Sequence, residues 1–129
     1  MVTKKQKYRV ILHPLVSVED LPLLPEFLQN DLAKYQFVLA IDPVQTQGVP
    51  SHDLRGELRH YRALEIDYNG VCFRLVYRVY ESPTPKRVQV VSFAEHDLAY
   101  ERAKERCKVQ SCSTKMLSDL SSNSGISDR

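Results

Sequence analysis

Glycine is scarce in this sequence, with only four among 129 residues, and none of the four lies beside another. Loops that cradle phosphates need several closely spaced glycines, so that backbone N–H groups can approach the phosphate. No serine occupies a Gly-x-Ser-x-Gly pattern, which marks the nucleophile of many hydrolases. The sequence therefore gives no common nucleotide-binding loop, and no Ser/His/Asp triad can be assembled by inspection.

Cysteine is equally scarce, and its spacing does not suggest a metal site. The three cysteines, Cys72, Cys107 and Cys112, are odd in number and lack the paired spacing of zinc ligands. Reduced thiols of this kind are typical of cytosolic proteins. We therefore predict a cytoplasmic protein without a metal or another cofactor.

Long hydrophobic runs are also missing, and the longest apolar segments have the length of strands. No signal-peptide pattern is present, so we expect neither export nor contact with a membrane. Residues 109–129 are rich in Ser, Asn and Asp and have no apolar period. We predict one domain in residues 1–108 and a flexible polar tail in residues 109–129.

The small net charge of +2 conceals two halves of opposite sign. Residues 17–53 contain six acidic residues and one basic residue, whereas residues 54–87 contain seven basic and four acidic residues. Six of those seven bases are arginines, which suit bidentate contacts to phosphate and stacking on bases. The second half therefore favours an anionic partner, although a soluble surface alone can produce the same charge pattern.

The apolar periodicity predicts an α+β fold. Asn69-Gly70 predicts a tight hairpin between two strands, and consecutive hairpins favour an antiparallel sheet of about four strands, with the first strand returning beside a later one. Residues 43–53 are interpreted as a loop, and residues 54–58 as a compact turn. The predicted strands are Lys7–His13, Arg59–Asp67, Val71–Tyr80 and Arg87–Ala94; the predicted helices are Glu26–Ile41, as one bent helix or two short ones, and Asp97–Cys107.

Most of the candidate functional residues lie in the strand Val71–Tyr80 and in the segment after it. Alternate side chains of a strand point to opposite faces, so one face of this strand is apolar and the other carries Arg74 and Arg78. We expect the second face to be free to contact a polyanion or an acidic partner. His96 and Tyr100 follow, one helical turn apart, and a histidine can transfer protons near neutral pH.

Several segments resemble the RelE/ParE superfamily of toxins from type II toxin–antitoxin modules. The resemblance covers about residues 7–106. It implies a small curved antiparallel sheet with an N-terminal helix or helical hairpin on one face and a short C-terminal helix. The matching segments are Leu54-Arg55-Gly56, Tyr61-Arg62, Arg74-Leu75-Val76-Tyr77, His96-x-x-x-Tyr100 and Arg102-Ala103-x-x-Arg106.

The resemblance also implies an activity and partners. A toxin of the RelE-like branch cuts mRNA on the ribosome without a metal, and a short acidic antitoxin neutralises it; DNA is contacted only through the antitoxin complex. Arg74 and Arg62 would stabilise the phosphate, His96 would transfer protons, and Tyr100 would orient the ribose or stack on a base. The further RNA-binding residues would be Arg55, Arg59, Arg78, Arg87 and Arg102.

Two departures from the family pattern bear on activity. Leu64 and Ile66 occupy positions on the Arg62 face where some relatives carry lysines, and residues 48–51 lack the glutamate that others carry. His52 or Glu65 is a candidate replacement for that glutamate, although His52, like His13, is interpreted first as structural.

A non-enzymatic function is the alternative. The chain would then be a ParE-like inhibitor of DNA gyrase, or a decayed toxin that keeps only its antitoxin-binding surface. In that case Arg74 and Arg78 form an ordinary solvated strand face, His96 caps the last helix, and Tyr100 packs in the core.

Overall fold

The computed structural model describes the backbone of residues 6–119 and the side chains of residues 6–107. Short helical turns occur at Val16–Asp20, Leu21–Leu23 and Gly56–Leu58. Among the described residues, no helix combines the length and apolar character that crossing a membrane requires. The strands are β1 (Arg9–Leu12), β2 (Ser51–Asp53), β3 (Tyr61–Tyr68), β4 (Val71–Tyr80) and β5 (Arg87–Glu95); the helices are α1 (Glu26–Asn30), α2 (Leu32–Ile41) and α3 (His96–Asp119).

The five strands form one open sheet in the order β1-β5-β4-β3-β2. β2 to β5 pair antiparallel, as expected, whereas β1 lies parallel to β5. The α+β class is thus confirmed, and the first strand does return beside a later one. The count of about four strands was low because β2 lies inside the predicted loop 43–53. A three-residue edge strand is too short to display a period of two.

The hairpin between β3 and β4 forms where Asn69-Gly70 predicted it. Both residues have positive φ angles, 52° for Asn69 and 78° for Gly70. A two-residue hairpin turn favours this conformation because its twist matches that of the strands. The turn fixes the register along the whole pair, so that Glu65 lies directly opposite Arg74.

Helices cover both faces of the sheet. The first face, which includes Phe73, Leu75 and Tyr77, packs against the segment from Val16 to Leu39 in one core cluster. The second face packs against α3 through Ala99 and Ala103 in a separate cluster. The expectation that the second face of β4 is free is therefore wrong at its centre, because α3 buries Val76. The small alanine side chains let the helix approach this part of the sheet closely.

Two predicted helix boundaries can be compared with the structure. The segment Glu26–Ile41 forms two short helices, α1 and α2, which was one of the expected outcomes. The last helix does not end at Cys107, since α3 extends to Asp119. The division into a domain of residues 1–108 and a flexible tail of residues 109–129 stays a prediction, and residues 120–129 lie outside the described residues.

A buried ion pair attaches α3 to the segment before α1. The guanidinium of Arg106 binds Asp20 through two hydrogen bonds, of 2.9 Å from Nη1 to Oδ2 and 2.8 Å from Nη2 to Oδ1. Arg102 adds a third hydrogen bond to Asp20, of 2.6 Å. Arg106 is only 3% exposed and Asp20 only 1% exposed. Bidentate geometry and additional partners are what a buried ion pair needs to offset its desolvation.

The same two side chains also complete the edge of β5. The ladder with β1 ends where the His13 N–H donates to the Val90 carbonyl. Beyond that point, Asp20 accepts a 2.8 Å hydrogen bond from the Phe93 N–H, and Arg106 donates a 2.7 Å hydrogen bond to the Val91 carbonyl. Buried backbone groups need such partners. Asp20 and Arg106 thus take the place of a strand that β1 is too short to provide.

Removing the charge of Arg106 should destabilise the protein strongly. Arg106→Met keeps an apolar chain but leaves the buried Asp20 carboxylate with Arg102 as its remaining ion-pair partner. We expect the free energy of unfolding to fall by about 3–5 kcal/mol, because the buried Asp20 carboxylate loses its bidentate partner and the Val91 carbonyl loses its buried donor. Urea unfolding followed by circular dichroism measures this difference.

Lys104→Met on the same helix is the matched control. Lys104 lies 3.8 Å from Glu57, and both side chains are about half exposed. Exposed ion pairs contribute at most about 1 kcal/mol, so this variant should unfold close to wild type. Equal urea midpoints for the two variants would contradict the structural role of Arg106.

Candidate functional site

Arg74 differs from the buried arginines because its hydrogen bonding is incomplete. It lies on the second face of β4, and its Nη1 donates a 2.9 Å hydrogen bond to the Phe73 carbonyl. Its Nε atom is buried and has no hydrogen-bond partner. A buried donor without a partner is costly. The Arg74 side chain as a whole is half-buried and lines a groove, so the rest of its guanidinium is open to an acceptor from solvent.

Tyr100 and His96 lie on the first turns of α3, beside Arg74 of β4. Their spacing of four residues puts them on one side of the helix, and the ring centroids lie 4.8 Å apart in an edge-to-face arrangement. Burial raises the pKa of the Tyr100 hydroxyl, while the charge and hydrogen bonding of Arg74 act to lower it. The structure thus brings together three of the four residues predicted to be catalytic.

The His96 imidazole is partly exposed, with its orientation set by a neighbouring carboxylate. Its Nδ1 lies 2.8 Å from Oδ1 of Asp97. Arg74 and His96 both line an open groove of about 800 Å³, which runs between the β3–β4 turn and the start of α3. Three carboxylates, Glu95, Asp97 and Glu101, line the same groove. The groove is therefore mixed in charge, and Arg74 is its cation.

A second histidine–carboxylate pair lies on the same face of the sheet. His52 on β2 is paired with Ala63 of β3 and lies on the α3 side, and its Nδ1 is 2.8 Å from Oε2 of Glu65. Glu65 adjoins Arg74 in register, and its charge contributes to raising the pKa of Tyr100. Sequence reasoning gave His52 a structural role because β2, and hence this cross-strand contact, was not predicted.

Arg62 lies away from these residues, so the predicted four-residue cluster is wrong in this member. It lies on the first face of the sheet with Leu64 and Ile66, and its guanidinium donates hydrogen bonds to four partners. Arg62 and Glu65 are three residues apart on β3, and an odd separation puts them on opposite faces, which the sequence alone had already indicated. The partners are the Tyr77 hydroxyl at 3.2 Å, the Val44 carbonyl at 3.1 Å, Ser51 Oγ at 2.8 Å and the carboxylate of Asp53.

The five arginines predicted to bind RNA fall into three groups. Arg55 and Arg59 are exposed around the Gly56–Leu58 turn. Arg78 and Arg87 stack on tyrosines, with the Tyr80 ring 5.0 Å from the Arg78 guanidinium and 4.5 Å from that of Arg87. Arg102 is held in the ion pair with the buried Asp20 carboxylate and is mostly covered, so its contact with RNA stays a prediction without support from its surroundings.

The described residues contain no cluster of three or more His, Cys, Asp or Glu side chains that could hold a metal ion. What the geometry offers instead is a cation, two imidazoles and a phenol on one face. Such groups can transfer protons and stabilise negative charge, as a phosphoryl transfer requires.

No protein-family model matches the sequence, and no curated protein sequence matches it. Among solved structures, the chain is similar to an arginine-to-alanine mutant of the E. coli toxin RelE in the free state. The TM-score is 0.55, with 20% sequence identity, and the match covers 78% of this chain and 97% of that chain. The chain has the RelE fold. A YoeB/ParE toxin from Agrobacterium tumefaciens is also similar, with a TM-score of 0.47 and 21% identity over 68% of this chain and 98% of that chain.

In this chain Arg74 lies on β4, and His96 and Tyr100 lie on α3. Arg62 lies on β3 and faces the opposite side of the sheet. Because Arg62 is held by four partners, Arg62→Ala should lower the free energy of unfolding by about 1–3 kcal/mol through lost hydrogen bonds to a charged group. Chemical denaturation of the purified protein measures the change.

Arg59→Ala is the matched control for Arg62→Ala, since Arg59 is exposed two residues before the same strand. A surface substitution of this kind usually changes stability by less than about 0.5 kcal/mol. If Arg62→Ala were as stable as wild type, the observed contacts would not be holding β2 and β3 together, and a direct role in function would regain support.

Proposed function

We propose that this chain is the toxin of a type II toxin–antitoxin module and cleaves mRNA on the ribosome without a metal ion. The observation that carries the proposal is the meeting of Arg74 and His96 at an open groove, with the Tyr100 ring against His96 and its hydroxyl within the influence of Arg74. The RelE fold is consistent with this assignment.

The chemistry uses the ribose 2′-hydroxyl as the nucleophile. Its oxygen bonds to phosphorus while the bond to the 5′-oxygen breaks, which leaves a 2′,3′-cyclic phosphate and a 5′-hydroxyl. Arg74 would stabilise the charge on the crowded phosphate. His96 would transfer a proton through Nε2, because Asp97 engages its Nδ1. Tyr100 would orient the ribose or stack on a base.

The partners follow from the same proposal. A short acidic antitoxin would neutralise the toxin in the cytoplasm, and DNA would be contacted only through that complex. Ribosomal RNA and mRNA would meet the arginines that remain accessible on the domain. Among the arginines predicted to bind RNA, these are Arg55, Arg59, Arg78 and Arg87.

Induced expression without antitoxin, followed by mapping of mRNA 5′ ends, tests the function. We expect growth arrest and new 5′ ends inside translated codons. Growth arrest with intact mRNA and trapped gyrase–DNA complexes would instead identify a gyrase inhibitor. Normal growth would favour the decayed toxin.

Replacement of Arg74 should separate activity from stability. Arg74→Ala removes little buried apolar area, so we expect the free energy of unfolding to change by under about 1 kcal/mol. Cleavage should slow by about 10²–10³, the usual effect of removing one stabiliser of transition-state charge. Arg74→Lys should restore only part of the rate, because it keeps the charge but loses the planar fork.

Thermal unfolding and ribosome-bound mRNA cleavage are measured on the same preparations. Arg9→Ala is the control, since Arg9 is an exposed strand arginine at the far edge of the sheet on β1. It should cleave and unfold as wild type does. An Arg74→Ala protein with normal stability and normal cleavage would remove Arg74 from the site.

A further inference from the structure

Three polar side chains are buried among those that the structure describes, and all three form hydrogen bonds at one short stretch of β5. They are Asp20, Ser92 and Arg106, with exposed fractions of 1%, 0% and 3%. Arg106 donates to the Val91 carbonyl, and Asp20 accepts from the Phe93 N–H. Ser92 lies between Val91 and Phe93 in the chain, and its hydroxyl has a partner outside the ion pair.

That partner is a backbone carbonyl of α3. Ser92 Oγ donates a 2.7 Å hydrogen bond to the carbonyl oxygen of Ala99, a residue that is itself fully buried. A carbonyl inside an α-helix accepts an N–H from four residues further on, and its second lone pair is available for a bond of this kind. The bond therefore joins β5 to the first turns of α3, one residue before Tyr100 and three after His96.

A β-bulge brings the Ser92 hydroxyl to the helix. The pairing of β4 with β5 shifts register after Val76, and Val91 is left without a partner on β4. Consecutive residues of a regular strand point to opposite faces, yet Val91 and Ser92 both contact Ala99 on the α3 side. A bulge has this effect because two residues of one strand lie opposite a single residue of the other. Bulges often re-aim a side chain beside an active site.

The surroundings of Ser92 do not call for a hydroxyl. The cluster between the second face and α3 consists of apolar side chains, among them Val91, Ala94 and Ala99. Burying a hydroxyl costs free energy unless it is hydrogen-bonded, and the net gain from such a bond is small. Alanine at position 92 would pack there without a polar atom. What the hydroxyl adds is direction, because a hydrogen bond fixes distance and angle whereas contacts between small apolar groups allow sliding.

The hydrogen bond spans the two parts of the candidate site. Ser92 is paired with Val76, which lies two residues from Arg74 on β4. Tyr100 directly follows Ala99, its ring contacts that of His96 at 4.8 Å, and its hydroxyl is within the influence of Arg74. A displacement of the Ala99 carbonyl would therefore move the phenol relative to the guanidinium by a similar amount.

We propose that Ser92 is a positioning residue for RNA cleavage, whose hydrogen bond to Ala99 holds the first turns of α3 where Tyr100 and His96 meet Arg74. This inference rests on the proposed function. Arg106 attaches the same helix seven residues further along, about 10 Å away at the helical rise. Two separated attachment points fix the direction of a helix as well as its position, and Ser92 is the one nearer the site.

Single-turnover cleavage on programmed ribosomes tests this role. Ser92→Ala removes the hydroxyl and leaves a side chain like its neighbours. We expect the rate at saturating ribosomes to fall by about 10–10²-fold, because a displacement of about 1 Å can cost 10²-fold. The half-saturating ribosome concentration should not change, since Ser92 is buried and touches no RNA. Ser92→Cys keeps a weak donor of similar size and should retain an intermediate rate.

Thr46→Val is the matched control. The Thr46 hydroxyl donates a 2.6 Å hydrogen bond to the Val49 carbonyl in the loop before β2, so this variant also loses a bond from a hydroxyl to a carbonyl. It should cleave at the wild-type rate even if its melting temperature falls as far as that of Ser92→Ala. A Ser92→Ala protein that cleaves as fast as Thr46→Val would overturn the inference.

A measurement without activity separates this inference from the proposed function. NOEs between the Tyr100 ring protons and the Arg74 side chain should be present in wild type and in Thr46→Val, and weaker in Ser92→Ala. Unchanged NOEs in Ser92→Ala would overturn the inference even if cleavage slows, because the effect would not act through position. If Ser92→Ala does not fold, the same rates and NOEs of Ser92→Cys decide. A wild-type protein that does not cleave mRNA would overturn the proposed function, and the NOEs would still decide whether Ser92 positions Tyr100.

Discussion

The ion pair between Asp20 and Arg106 holds together parts of the chain that are 86 residues apart. It joins the turn before α1, the open edge of β5 and the middle of α3 at one buried point. α3 follows β5 directly and packs on the second face through Ala99 and Ala103, with Tyr100 and Cys107 partly buried beside them. The ion pair adds a bidentate, directional contact to this apolar packing, and both together fix the direction in which the first turns of α3 project.

The candidate site depends on that placement because it is divided between the sheet and the helix. Arg74, Glu65 and His52 are held by the register of three antiparallel strands, which the Asn69-Gly70 turn sets. His96 and Tyr100 are held by α3. A rotation or a shift of α3 would leave each residue intact and still separate the phenol from the guanidinium. The ion pair and the candidate site thus use different sides of one helix, with Arg102 and Arg106 on one side and His96 and Tyr100 on another.

The sequence predicted those features that local patterns specify. The hairpin at Asn69-Gly70, the apolar face of β4 and the break between α1 and α2 all follow from turn chemistry or periodicity. The sequence did not predict β2, the parallel pairing of β1 or the burial of Val76 beneath α3, since each of these depends on contacts between distant segments. The residues of the candidate site also divide into those that a local pattern identifies and those that depend on contacts between distant segments. Arg74, His96 and Tyr100 were found through short motifs, whereas His52 was interpreted first as structural because its contact with Glu65 depends on the β2–β3 register.

The number of arginines in a segment does not by itself identify a surface that binds nucleic acid. Of the arginines assigned to catalysis or RNA contact, Arg62 and Arg102 turn out to be held by carboxylates within the protein. Net charge counts such residues in full, although an internal partner already neutralises them. What distinguishes Arg74 is that one of its buried donors lacks an acceptor within the chain. The state of an arginine's hydrogen bonds, more than its positive charge, therefore sets Arg74 apart from Arg62 and Arg102.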